Sequence, residues 1–216
     1  GFSADVTCIN CSFLSNEASE TGGAIAVTGS NLSFQGETYC GQNRASGNGG
    51  FLVATASSLA FAGNSTFEDN VSLREGGVIY CDEGEVDFTG NGNFYNNAAT
   101  RSGGGIWVHN TFLRFSGEES SVNFVNNSAT ALFGGAVTLT GQEPLQLDAG
   151  SVLFMNNSAP TGGAAYAFGR AQNKDQLKLI NCIFEDNYAV GDGGAVVVSS
   201  GRVQINDTVF RNNVAG

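Results

Sequence analysis

Basic residues are scarce in this 216-residue chain: nine Lys plus Arg stand against twenty Asp plus Glu, for a formal charge of −11. With no basic patch to neutralise phosphates, nucleic-acid binding is excluded. No apolar run approaches the roughly 18 residues of a membrane-spanning helix, so direct membrane insertion is not expected. Histidine occurs once, as His109, far in sequence from the Cys8-x-x-Cys11 pair, so a zinc site lacks its second ligand pair. No βαβ context supports a thioredoxin-like redox role, and no cofactor motif appears. Cys8, Cys11, Cys40, Cys81 and Cys182 therefore read as small buried apolar residues or, for one local pair, as a disulfide. With neither an initiator Met nor a signal-peptide pattern, the sequence reads as a mature product, a repeat array or an excised piece.

Glycine is plentiful, at 31 residues, but follows no collagen-like period. The glycines belong to a lattice instead. A Phe-x-x-Asn element recurs with its asparagine at Asn16, Asn43, Asn70, Asn97, Asn127, Asn157, Asn187 and Asn213, at intervals of 27, 27, 27, 30, 30, 30 and 26 residues. A glycine pair follows seven of these, from Gly22-Gly23 to Gly193-Gly194. Each repeat holds three short strand-like segments and no helical periodicity: one after the glycine pair, one alternating segment such as "LAF" or "VDF", and the Phe-x-x-Asn segment itself. Three short strands per repeat describe one coil of a parallel β-helix, right-handed by the usual crossover rule. The expected fold is thus all-β: a right-handed parallel β-helix of about eight coils of 27–30 residues, forming a single domain over residues 1–216. Coils stack at about 4.8 Å because none can bury its inner face alone.

Stacking assigns roles to the repeated residues. Phe13, Phe67, Phe94, Phe124, Phe154, Phe184 and Phe210 fall on one inward row, with Cys40 in place of Phe in the second coil. The eight asparagines form a corner ladder, each amide donating to the next coil and accepting from the previous one. The glycine pair supplies positive φ at a tight bend.

Paired G-G-A-[ILV] and F-x-x-N repeats, here "GGAI" at 22–25 and "GGAV" at 134–137 and 193–196, resemble those of chlamydial polymorphic outer-membrane proteins and related surface proteins. That resemblance covers nearly the whole chain and implies a secreted adhesin passenger carried by a membrane barrel.

Register separates inward from outward positions. On the second strand the outward row Ser33, Ala60, Asp87, Arg114, Gln146, Lys178, Gln204 is an ordinary solvated face, with Asp87 placed to pair with Arg114. The first strand differs: its outward row reads Ala26, Val53, Tyr80, Trp107, Thr138, Tyr166, Val197. Apolar residues on both faces point to a covered flank or a binding face. Tyr80, Trp107 and Tyr166, joined by Asp82, His109 and Phe168 in the next outward row, are the candidate binding face for a host or surface protein or a glycan.

A polysaccharide-binding or polysaccharide-degrading β-helix is the alternative. Its best catalytic cluster is Asp82, Glu83, His109 and Asn110 with Glu85 nearby, but Arg114 is the sole basic residue in register and the chain's charge repels polyuronates. An enzyme is therefore not expected.

Seven N-x-S/T sequons occur, a modest excess over chance. Asn31, Asn64 and Asn206 lie at exposed corners and Asn10, Asn126 and Asn156 are further glycosylation candidates, whereas Asn70 belongs to the ladder. No amphipathic helix plugs either end, so the chain reads as part of a longer rod or as a subunit that stacks on itself head to tail. The expected setting is extracellular or at the cell surface.

Overall fold

The computed structural model describes residues 4–117, 119–141, 145–147, 151–169 and 175–216. Strand pairs with its counterpart one repeat later, always in parallel among the described residues, giving three sheets. The protein is an all-β parallel β-solenoid of about seven turns: eight strands stack in the second sheet and eight in the third. No helix among the described residues is long and apolar enough to cross a membrane.

The faces are divided differently from the sequence expectation. The segment after the glycine pair and the alternating segment share one sheet. They fuse into single ten-residue strands at Ile79–Phe88 and Ile106–Phe115, and remain separate at Leu52–Thr55 and Ser58–Phe61. One residue between them takes positive φ, as at Ala56, Glu83 and Asn110, which kinks the chain without leaving the sheet. The second sheet carries the phenylalanines of Phe-x-x-Asn, for example Asn64–Glu68 and Gly92–Tyr95. The third consists of two-residue strands just after each ladder asparagine, such as Val71–Ser72 and Ala98–Ala99. Two residues are too few to show a period of two, so sequence pattern passes over them.

At each corner the residue before the ladder asparagine is left-handed: Ser15, Gln42, Asp69, Asn96, Asn126, Asn156, Asp186 and Asn212 have φ of 53–59°. Asn and Asp tolerate that region best, which accounts for "EDN", "YNN" and "VNN". The buried ladder amides are then fully engaged. Asn97 Nδ2 donates to Asn127 Oδ1 at 3.0 Å and to the Phe67 carbonyl at 3.0 Å. Its Oδ1 accepts from Asn70 Nδ2 at 3.0 Å and from the Asn70 backbone N–H at 2.9 Å. Asn43, Asn70, Asn127, Asn157 and Asn187 have the same bonds, and Asn16 and Asn213 form the two ends. An orphaned buried amide costs roughly 1–3 kcal/mol, so the ladder tolerates no gap.

The two glycines of each pair differ in their work. Gly76 has φ of 68° and makes the bend. Its neighbour Gly77 is needed for a close approach, because a Cβ there would collide with the Gly104 carbonyl of the next turn. Only hydrogen at that position allows the turns to stack.

Inside, two phenylalanine columns face each other. Phe67, Phe94, Phe124, Phe154, Phe184 and Phe210 stack with centroids 4.5–4.9 Å apart. Opposite them Phe34, Phe61, Phe88 and Phe115 stack at 4.4–5.1 Å and meet the first column edge to face, as in the 82° pair Phe61–Phe67. Each buried ring contributes roughly 1.5–3 kcal/mol. Where Cys40 interrupts the first column, Phe51 fills the space, 5.2 Å from Phe13 and 6.0 Å from Phe67. Phe51 follows its glycine pair, where the neighbouring turns have Ala24 and Val78. A small residue on one strand is thus answered by a large one on another.

All five cysteines are free thiols. Cys40, Cys81 and Cys182 are buried, and desolvation pushes the Cys81 thiol up to about 11, that of Cys182 to about 12, and that of Cys40 higher still.

Candidate functional site

Register places the first strand's outward row as Ala26, Val53, Tyr80, Trp107, Thr138, Tyr166 and Val197 on consecutive turns. On a parallel sheet such side chains stand side by side about 4.8 Å apart, which suits aromatic stacking. Tyr80 and Trp107 use it: their rings lie 4.5 Å apart at 7°. The imidazole of His109, two residues along the strand, continues the group at 6.1 Å and 18° from the indole. All three are half-buried. The rings occupy one another's faces, so the group exposes ring edges.

Thr140 Oγ1 is 3.3 Å from the Val108 carbonyl, to which it donates, and 2.9 Å from His109 Nδ1. In the neutral ring Nδ1–H then donates to Thr140 and Nε2 carries the lone pair. Asp82 is the register neighbour of His109, and its Oδ1 is buried without a hydrogen-bond partner among the described residues. Burial, with Asp82 and Glu75 adding to it, pushes the Tyr80 phenol up to about 12. A half-buried, stacked aromatic pair suits contact with another apolar surface.

Tyr166 leaves the candidate face. It is 8% exposed, its ring lies against Phe133 at 4.1 Å, and its hydroxyl is 2.9 Å from Ser199 Oγ. Thr138, between it and Trp107, is fully buried and donates to the Phe133 carbonyl at 2.9 Å. Phe133 sits immediately before a glycine pair, a signal the sequence offered in "ALFGG". Phe168 is 41% exposed and follows Thr140 in the row that holds Asp82 and His109, two turns beyond His109, so it stands apart from the stacked pair.

The carboxylates do not converge. Glu83 occupies the left-handed kink. Glu85 pairs directly with the Arg114 guanidinium, whose distance to Asp87 is 3.9 Å. The expected Asp87–Arg114 pair is thus present at the longer distance between register neighbours, while the longer Glu85 side chain reaches the same guanidinium from two residues back along the strand. Among the described residues no three His, Cys, Asp or Glu side chains gather as a metal-binding group. The side chain of Gln146 lies outside the described residues.

Of the sequon asparagines, Asn10, Asn31, Asn64, Asn126, Asn156 and Asn206 are exposed and Asn70 is buried in the ladder.

Three parallel sheets, a corner amide ladder and paired glycines define a parallel β-solenoid repeat protein. The sequence model of the Chlamydia polymorphic membrane protein repeat matches residues 59–82, the stretch that holds Phe67, Asn70 and Gly76-Gly77, so that stretch is similar to a repeat of that family. No curated protein and no solved structure matches the chain.

Proposed function

We propose that this chain is a non-enzymatic rod of the cell surface or extracellular space, and that Tyr80, Trp107 and His109 make its adhesive contact with a partner protein. The stacked Tyr80–Trp107 pair carries the proposal, because two large aromatic rings on the outside of the rod contribute nothing to closing its core. Aromatic anchors of this kind dominate the binding energy of protein interfaces. The name of the matched repeat, that of a membrane protein, supports a surface setting. The pairing of Glu85 with Arg114 supports a non-enzymatic reading, since it occupies the one cation beside the carboxylates.

Beads coated with the chain and counted on cultured animal cells test the proposal. Trp107→Ala should lower adhesion by at least about tenfold, the loss of a hot-spot residue, while the circular dichroism spectrum stays unchanged. Equal adhesion by the variant, or none by the unmodified chain, overturns it.

A further inference from the structure

A second surface lies on the outward face of the second sheet. We infer that the groove around Tyr39, Thr66 and Asn93 binds a neutral saccharide. Tyr39, Thr66, Asn93 and Asn123 are register neighbours on consecutive turns. Beside them run Glu37, Asn64 and Asn91, and this row with Thr66, Asn93, Asn123 and Ser121 lines a depression of about 430 Å³ whose lining residues are all polar, with Tyr39 next to it on the adjoining turn.

The amides are held in place by one another. Asn91 Nδ2 donates to Asn64 Oδ1 and Asn64 Nδ2 to Glu37 Oε1, both at 2.8 Å. Asn93 Oδ1 accepts from Asn123 Nδ2 at 2.9 Å and from the Tyr95 hydroxyl at 3.1 Å. These bonds fix each amide yet leave capacity unused. Among the described residues, both hydrogens of Asn93 Nδ2, one each on Asn64 and Asn91, the Thr66 hydroxyl and Glu37 Oε2 have no side-chain or backbone partner. Donors and acceptors that are already oriented lose little entropy on binding, which favours a polyhydroxyl ligand.

Tyr39 supplies the apolar element. Its ring leans along the strand over Gly41, where a Cβ would meet ring atom Cε1 at 2.8 Å and Oη at 3.1 Å. Its hydroxyl donates to Glu68 Oε2 at 2.9 Å, and 38% of the residue remains exposed. The glycine therefore lets an aromatic ring lie flat beside the groove, one turn from Thr66, as a fixed surface for the C–H face of a pyranose. Turns about 4.8 Å apart repeat at close to the length of one pyranose in an extended chain, so a linear oligosaccharide along the rod meets like groups on successive turns. Glu37 and Glu68 flank the groove within a chain of charge −11, which repels acidic saccharides and selects a neutral one.

Saturation-transfer NMR on chain shown by intact mass to carry no glycan tests this, with maltotriose, cellotriose, triacetylchitotriose and mannotriose as neutral probes and a heparin trisaccharide as the acidic one. At least one neutral probe should show transfer and the acidic probe none. Tyr39→Ala should weaken that binding by about tenfold or more, and Thr66→Val, which keeps shape and loses one hydroxyl, by about three- to tenfold. Trp107→Ala should leave it unchanged, which separates this site from the adhesive patch. No transfer from any neutral probe, preference for the acidic probe, or full binding by both groove variants overturns the inference.

Discussion

Aromatic residues stack inside this rod and on its outer face, and the two sets obey different rules. Inside, the departure at Cys40 is answered nearby: it leaves a gap in the phenylalanine column and Phe51 enters it from another strand. Outside, the answer differs from turn to turn. Tyr166 is covered by Phe133 and bonded to Ser199, while Tyr80 and Trp107 stack on each other, with His109 beside the indole, and stay half-open. The core must be filled to crystal-like density, so volume is conserved among its neighbours. The outer surface faces no such demand, so an aromatic there can be covered on one turn and left open on another.

The sharpest way to break this comparison is Phe51→Ala. It removes the ring that compensates for Cys40 and should cost about 3–5 kcal/mol in chemical unfolding. Cys40→Phe alone should also destabilise, by about 1–3 kcal/mol, because the space is already taken. The double variant should recover most of both losses; additive losses would show that Phe51 is not the answer to Cys40.

Next in size is an alkaline loss from the same interior. Burial raises the thiols of Cys81 and Cys182 from 9 to about 11 and about 12. A raised value favours the protonated thiol in the fold, so its contribution is complete below pH 9 and is lost as pH rises through 11 to 12, on the order of 2 kcal/mol per thiol. Unfolding free energy followed between pH 8 and 12 should fall across that window, and less steeply in Cys182→Ala measured relative to its own value at pH 8. Identical slopes would exclude the thiol as the source.

The smallest effect belongs to the outer row. Phe133→Ala should uncover Tyr166 for about 1 kcal/mol or a little more, because the lost ring is only partly buried. Tyrosine fluorescence quenching by iodide should rise in the variant; unchanged quenching would mean that something else shields Tyr166.

The register of the first strand, with Ile25, Leu52, Ile79, Ile106, Val137, Ala165 and Val196 inward, was legible because alternation and a fixed repeat length leave a solenoid few ways to stack. The outward row of the first strand was legible for the same reason. Its fate was not. Whether Tyr166 or Trp107 meets solvent depends on Phe133, which lies five residues before Thr138 in a loop with no period of its own. The saccharide groove escaped notice because its rows lie on the Phe-x-x-Asn strand, whose inward phenylalanine and corner asparagine dominate the pattern. Its amides gain meaning only when turns a full repeat apart stand side by side.

The sequence by itself determined a parallel stack of repeats, the inward phenylalanines and the positions of the ladder asparagines, since each follows from periodicity and from the need to pair buried backbone and apolar surface. Tertiary structure alone decided that two of the predicted strands share one sheet, that dipeptides form the third, that Phe51 replaces the ring missing at Cys40, and which outer aromatics remain open. Those depend on distances between side chains a repeat or more apart, where volume and hydrogen-bond geometry, not local preference, set the outcome.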